Sequence, residues 1–88
     1  MTPDAAEILS LQALGWLAGD DEALPRFLGA SGADMAHLRQ NAGHRDTQLA
    51  VVAFLLGQED LMLRFCAEAG IAPAAVHQAH HALGGGGE

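Results

Sequence analysis

Glycine punctuates this chain at intervals that suit short helices and little else. Gly19, Gly32, Gly43, Gly57, Gly70 and Gly84 each close a block that opens on a helix-start residue. Glycine enters the left-handed backbone region without steric cost, which places it just past helix C-termini. The starts are as regular. Thr2-Pro3-Asp4 supplies an N-cap, a first-turn proline and a first-turn carboxylate, predicting a helix from about Pro3 to Ala18. Asp20-Asp21-Glu22 charge the start of a second helix that runs to about Ser31, with Pro25 delaying or slightly bending its first turn. Asp34 caps a short third helix ending around Ala42-Gly43, and Arg45 or Asp46 begins a fourth that stops at Gly57. Glu59-Asp60 begins a fifth that stops at Gly70, and Pro73 a sixth that closes at Gly84. No segment alternates as a β-branched strand does. The expected fold is all-α: a compact bundle of about six helices forming a single domain over 1–84, with a disordered Gly-rich tail over 85–88.

The blocks also repeat. Shifting the chain by 38 residues aligns Leu14 to Gln40 with Val52 to Gln78 without gaps. Seven positions are then identical: Leu17/Leu55, Gly19/Gly57, Arg26/Arg64, Phe27/Phe65, Gly32/Gly70, Ala36/Ala74 and Gln40/Gln78. Trp16/Phe54, Asp21/Glu59, Glu22/Asp60 and Leu24/Met62 agree in kind. The pattern predicts two three-helix halves, about 3–43 and 44–84, each of a long, a medium and a short helix.

Apolar spacing indicates how the helices pack. In helix 5, Leu61, Met62, Phe65, Cys66 and Ala69 form one stripe, with Asp60, Arg64 and Glu68 opposite at i, i+4 spacings that predict weak surface pairs. Helix 2 repeats this with Ala23, Leu24, Phe27 and Leu28 inward and Glu22-Arg26 outward. Leu49 to Leu56 is apolar all round, which predicts helix 4 as the central, most buried element. Helix 1 carries two apolar faces. Leu9, Ala13, Trp16 and Leu17 make one, and Ile8, Leu11, Leu14 and Ala18 the other.

Charge narrows the function. Eleven carboxylates face four arginines and no lysine, for a net charge of −7. That balance repels phosphate backbones and anionic membrane surfaces, so neither nucleic acid nor a membrane is the expected partner. The longest apolar run, Leu49 to Leu56, falls far short of the ~20 residues that span a bilayer. The N-terminus does not read as a signal peptide, and a lone cysteine fits a reducing compartment, so the expected location is the cytoplasm.

Few residues suggest chemistry. His77 and His81 are four apart on helix 6, a spacing that can chelate Zn²⁺ or Cu²⁺, but no cysteine or carboxylate nearby completes a set. Cys66 reads as a small core residue, since Leu28 is its counterpart in the other half. Asp20-Asp21-Glu22 read as a helix start, not a Ca²⁺ loop. Arg26 and Arg64 suit structural pairing, or else two equivalent contacts to a partner's carboxylate. Trp16 and the second face of helix 1 are either covered within the domain or open to a partner.

The run Leu11-Gln12-Ala13-Leu14-Gly15-Trp16-Leu17, then Arg26-Phe27-Leu28 with Gly32, Phe54-Leu55-Leu56 with Glu59 and Leu61, and Gly70-Ile71-Ala72-Pro73 with Val76 resemble the small alphaproteobacterial proteins catalogued as domain of unknown function 3572. The resemblance covers nearly the whole chain. It implies a bacterial, cytoplasmic, compact helical protein and supplies no catalytic residues.

No nucleophile sits in a recognisable motif, so an enzyme is not expected, and no cofactor is implied. The expected function is protein interaction or regulation without catalysis, through a protein partner or self-association by an apolar helix face. Ile8, Leu11, Leu14, Trp16, Arg26 and Arg64 are the candidate contact residues. Metal binding by His77 and His81 is the alternative. A DNA-associated role, resting on Arg39, Gln40, Asn41 and Arg45, ranks below both.

Overall fold

A computed structural model describes residues 1–85 of the chain. The order is α1 (Pro3–Ala18), α2 (Ala23–Ser31), α3 (Met35–Gln40), α4 (Arg45–Leu56), α5 (Glu59–Ala69) and α6 (Pro73–His80), followed by a wider turn over His81–Gly85. These are the six helices that the glycine punctuation predicts, and the described residues contain no strand. No helix among them is long and apolar enough to cross a membrane. The radius of gyration is 11.7 Å, against about 12 Å for a compact domain of this length.

Local signals act where they stand. The Thr2 hydroxyl accepts from the Ala5 N–H at 3.1 Å, and the Asp34 carboxylate from the His37 N–H at 2.8 Å. The Asp20 carboxylate accepts from the N–H groups of Glu22 and Ala23 at 3.0 and 2.8 Å, so α2 starts with its first donors satisfied and Pro25 already inside it. Gly32 and Gly70 end α2 and α5 in the left-handed region, at φ of 70° and 69°.

Three boundaries or faces differ from expectation. Helix 3 ends at Gln40, not near Ala42, because Asn41 leaves the helical backbone region, its side-chain amide donates to the His37 carbonyl, and its own carbonyl accepts from the His44 N–H. The last helix loosens after His80 into the wider turn, which Gly84 leaves at a φ of 98°. Ala69, expected in the α5 stripe, is exposed, while Leu61, Met62, Phe65 and Cys66 are buried. Of the expected disordered tail over 85–88, Gly85 belongs to the wider last turn, and 86–88 lie outside the described residues.

The core sits between α1 and α4. Ala6, Leu9, Ala13 and Leu17 of α1 meet Val51, Val52 and Leu55 of α4, all buried. Around this pair α2 adds Phe27, α5 adds Leu61 and Phe65, α6 adds Val76 and Ala79, and the last turn adds Leu83. The short α3 lies at the edge and reaches the core through Leu38. Helix α4 touches α1, α2, α5, α6 and the last turn, so it is central, but it is not covered all round: Ala50 and Ala53 are exposed. One polar clip joins the central pair. The Gln48 amide donates to the Glu7 carboxylate and the Ala42 carbonyl, both at 3.2 Å, and the Ser10 hydroxyl donates to the Glu7 carbonyl at 2.7 Å.

Two glycines separate propensity from conformation. Gly15 lies inside α1, exposed, and a Cβ there would meet no atom within 4 Å. Gly15→Ala should therefore raise the unfolding free energy by about 0.5–1 kcal/mol. Gly32→Ala, forced into the left-handed region, should lower it by about 1–2 kcal/mol. Urea denaturation of the two variants checks both signs.

Candidate functional site

Three of the six candidate contact residues, Trp16, Arg26 and Arg64, come together where α2 faces α5. They are already engaged there by the chain's own groups. Arg64 donates one nitrogen to Asp20 and another to Glu22 at 3.0 Å. Arg26 donates to Glu22 at 2.8 Å, to both oxygens of Asp60 at 3.1 and 3.2 Å, and to the Gln58 side-chain carbonyl at 3.2 Å. The Arg64 guanidinium also lies 5.4 Å from the centroid of the Trp16 ring. The Trp16 indole N–H donates to Glu68 at 2.9 Å, and the ring packs at 5.8 Å from Phe65. Glu22–Arg26 is the i, i+4 pair that the sequence predicts. The pairs expected within α5 are not formed: Arg64 turns to the carboxylates of Asp20 and Glu22, Asp60 takes Arg26, and Glu68 takes Trp16. The reason is geometric, since a guanidinium reaching across satisfies several donors at once, while an exposed pair along one helix gains little.

These contacts run crosswise under the 38-residue offset. It carries Arg26–Asp60 onto Arg64–Glu22, and Trp16–Phe65 onto the edge-to-face pair Phe54–Phe27 at 5.1 Å.

The network shifts two titrations. The pKa of Asp20 is lowered, first by the Ala23 N–H and then by the Glu22 N–H and Arg64, which together outweigh its partial desolvation. For Asp60 desolvation is the largest influence and acts upward, but the Leu61 N–H and Arg26 together exceed it, and the pKa is again lowered. A carboxylate that titrates lower when folded stabilises above its unfolded pKa, about 4, and loses that contribution as pH falls through the folded value. Acidification from about pH 5 to about pH 3 should therefore lower the thermal midpoint. Asp20→Ala should melt below the parent at neutral pH, with the gap narrowing at the acid end; melts across the range, followed by circular dichroism, check this.

The other three candidates separate. Ile8 and Leu11 project from α1 at 59% and 42% exposure, whereas Leu14 is half-buried against the core. Because successive helix residues rotate by about 100°, Leu14 and Trp16 flank the exposed stripe on opposite sides. Leu63 of α5 is also open, at 49%.

A further apolar surface lies between α2 and α4. Phe27 and Phe54 form the floor of a shallow groove whose sides are Ala30, Ser31, Ala50 and Ala53. It continues past Leu38 and Thr47 to Asp46 and His37, and then to Gly32 and Asp34. The sequence does not single it out, because alanines inside an apolar run read as core. The only local signal is that Ala50 and Ala53 are the smallest residues of that run and share one face of α4.

The histidines of the last helix do not converge with other ligands. His77 and His81 are exposed and His80 partly so, and among the described residues no group of three His, Cys, Asp or Glu side chains is placed to hold a metal ion. Cys66 is a buried free thiol whose pKa is raised by burial. A thiol held protonated and covered is a poor nucleophile. Ellman's reagent should label Cys66 slowly in the native protein and promptly in denaturant; equal rates would contradict its burial.

No curated protein and no solved structure matches the chain. Residues 3–86 match the family model described as a protein of unknown function (DUF3572). The match spans nearly all of the sequence, in agreement with the helical motifs between Leu11 and Val76, and the chain belongs to that family.

Proposed function

We propose that this protein is a non-catalytic interaction module of the reducing cell interior, which binds another protein through apolar surface left open on its helices. The observation that carries the reading is the α2–α4 groove, where two phenylalanines lie beneath exposed alanines. Small residues let a partner's backbone approach closely, and aromatic floors anchor binding energy in such sites. Ile8 and Leu11 on α1 offer a second, smaller apolar stripe. The polar groups that do cluster are engaged in pairing and capping, and Cys66 is covered. The buried free thiol fits a compartment where thiols stay reduced.

Two surface variants test this against the parent protein. Ala50→Arg/Ala53→Arg alters the groove, and Ile8→Arg/Leu11→Arg alters the α1 stripe; all four positions are exposed and arginine is a good helix former. Immobilised parent protein should retain a specific protein from native extract. One of the two variants should lose it while keeping the parent's circular dichroism spectrum and melting behaviour. Identical retention by all three would overturn the proposal.

A further inference from the structure

Under the 38-residue offset the α2–α4 groove maps onto the α1–α5 face, where one larger ring is held by its neighbours. The 38-residue offset pairs Phe27, Ala30, Ala53 and Phe54 with Phe65, Glu68, Gly15 and Trp16. At that second place the large indole of Trp16 lies against Phe65, its N–H is held by Glu68, and Arg64 covers its face. In the groove the smaller Phe54 pairs with Phe27, and Ala30 stands where the other side has the holding carboxylate. The depression therefore lacks the indole and the holding carboxylate that the other face has. Its bottom is apolar and its sides are alanine and serine.

Charge limits what lies in it. Asp46 lines the stretch that shares Phe27, Ser31 and Ala50 with the groove, Asp34 lines the hollow next to it, and His37 lines both. Arg45, next to Asp46 in sequence, does not line that stretch. The whole chain carries a net charge of −7, and of its four arginines Arg26 and Arg64 are neutralised by their own carboxylates. A second copy would bring the same excess of negative charge to the contact and is disfavoured. Shape points to a helix, since the groove follows α4, whose 12 residues extend about 18 Å, and its alanine sides let another helix lie close.

We propose that the groove receives an amphipathic helix of a partner protein, with leucine-sized side chains over Phe54 between Ala50 and Ala53 and lysine or arginine towards Asp34 and Asp46. This rests on the reading of the chain as an interaction module and adds the partner's chemistry. The apolar edge supplies the affinity, and the basic residues set direction and selectivity, as complementary charge does at interfaces.

The test uses the full chain and three fluorescein-labelled peptides of about 14 residues, roughly four helical turns. One is an amphipathic leucine/lysine helix, one replaces its lysines with glutamates, and one scrambles the leucine/lysine composition so that no apolar edge forms. Fluorescence anisotropy should show saturable binding of the first, with the glutamate and scrambled peptides at least about tenfold weaker, a difference of ~1.4 kcal/mol. Ala50→Arg/Ala53→Arg should reduce that affinity at least about tenfold, and Ile8→Arg/Leu11→Arg, with the same added charge, less than about twofold. Asp46→Asn, which leaves the groove's shape intact, should weaken binding several-fold at low salt and less at high salt. Equal binding of the scrambled peptide, or equal loss in both arginine variants, would overturn the proposal as unspecific attraction. Equal binding of the glutamate peptide would overturn the basic partner while leaving the module reading intact. No binding of any peptide would also overturn it, as would sedimentation showing a dimer that Ala50→Arg/Ala53→Arg dissolves, since the occupant would then be a second copy.

Discussion

The contact between α1 and α4 is the constraint on which the other elements depend. A chain of 88 residues with few aromatics has little apolar volume to bury, so it gains most by bringing its two longest helices close together. Ala6 and Ala13 on α1 make that approach possible, and Val51, Val52 and Leu55 fill the space opposite. Each shorter helix then covers part of what this pair leaves bare. Helix α2 does so with Phe27, α5 with Leu61 and Phe65, and α6 with Val76 and Ala79. The clip from Gln48 to Glu7 and to the Ala42 carbonyl fixes the pair's register, because a buried amide without partners costs more than its bonds return. Among the described residues no buried side-chain polar atom lacks a partner.

On this frame α2 and α5 meet through long side chains more than through close backbones. Guanidinium groups suit that span, since each presents several donors in one plane and holds two or more carboxylates at once. Pairs as exposed as these contribute little one by one. Their effect lies in arrangement: Asp20 caps α2 and anchors Arg64 with the same carboxylate, so a helix start and an inter-helix contact form together. Trp16 completes the group as a ring beneath Arg64 and a donor to Glu68. Side chains that suggest a binding site by their chemistry thus serve the chain's own assembly.

The fold was legible in the sequence because its signals are local. Thr2, Asp34, Gly32, Gly57 and Gly70 act within a turn of where they stand, and helix boundaries follow from them. The end of helix 3 is less legible, because the Asn41 amide caps the His37 carbonyl two residues before the glycine that marks a stop in the sequence. The partners of Arg64 were not legible at all. Asp60 and Glu68 stand one helical turn away on either side, and preferring Asp20 and Glu22 requires knowing that α2 lies opposite. The groove was hidden for a related reason. Ala50 and Ala53 are apolar enough to count as core, and only the packing of α2 beside α4 leaves them facing outward.

What distinguishes the two sides of the molecule is therefore the side chains at a few positions. Where the 38-residue offset matches the halves, it matches helix ends, the arginine–phenylalanine pair and the buried stripe, which any such bundle needs. Where it pairs Trp16 with Phe54 and Glu68 with Ala30, the first side holds an indole between a carboxylate and a guanidinium, and the second sets its aromatic pair beside exposed alanines. Sealing is the cheaper state for an isolated domain, because exposed apolar surface forgoes burial worth about 25 cal/mol per Å². On the second side Ala30 stands where the first has Glu68, and the exposed Ala50 and Ala53 beside the half-buried Phe54 leave that burial unused. The proposed partner helix would draw that burial from Phe54, Ala50 and Ala53, with Asp34 and Asp46 selecting the sign of the charge it brings.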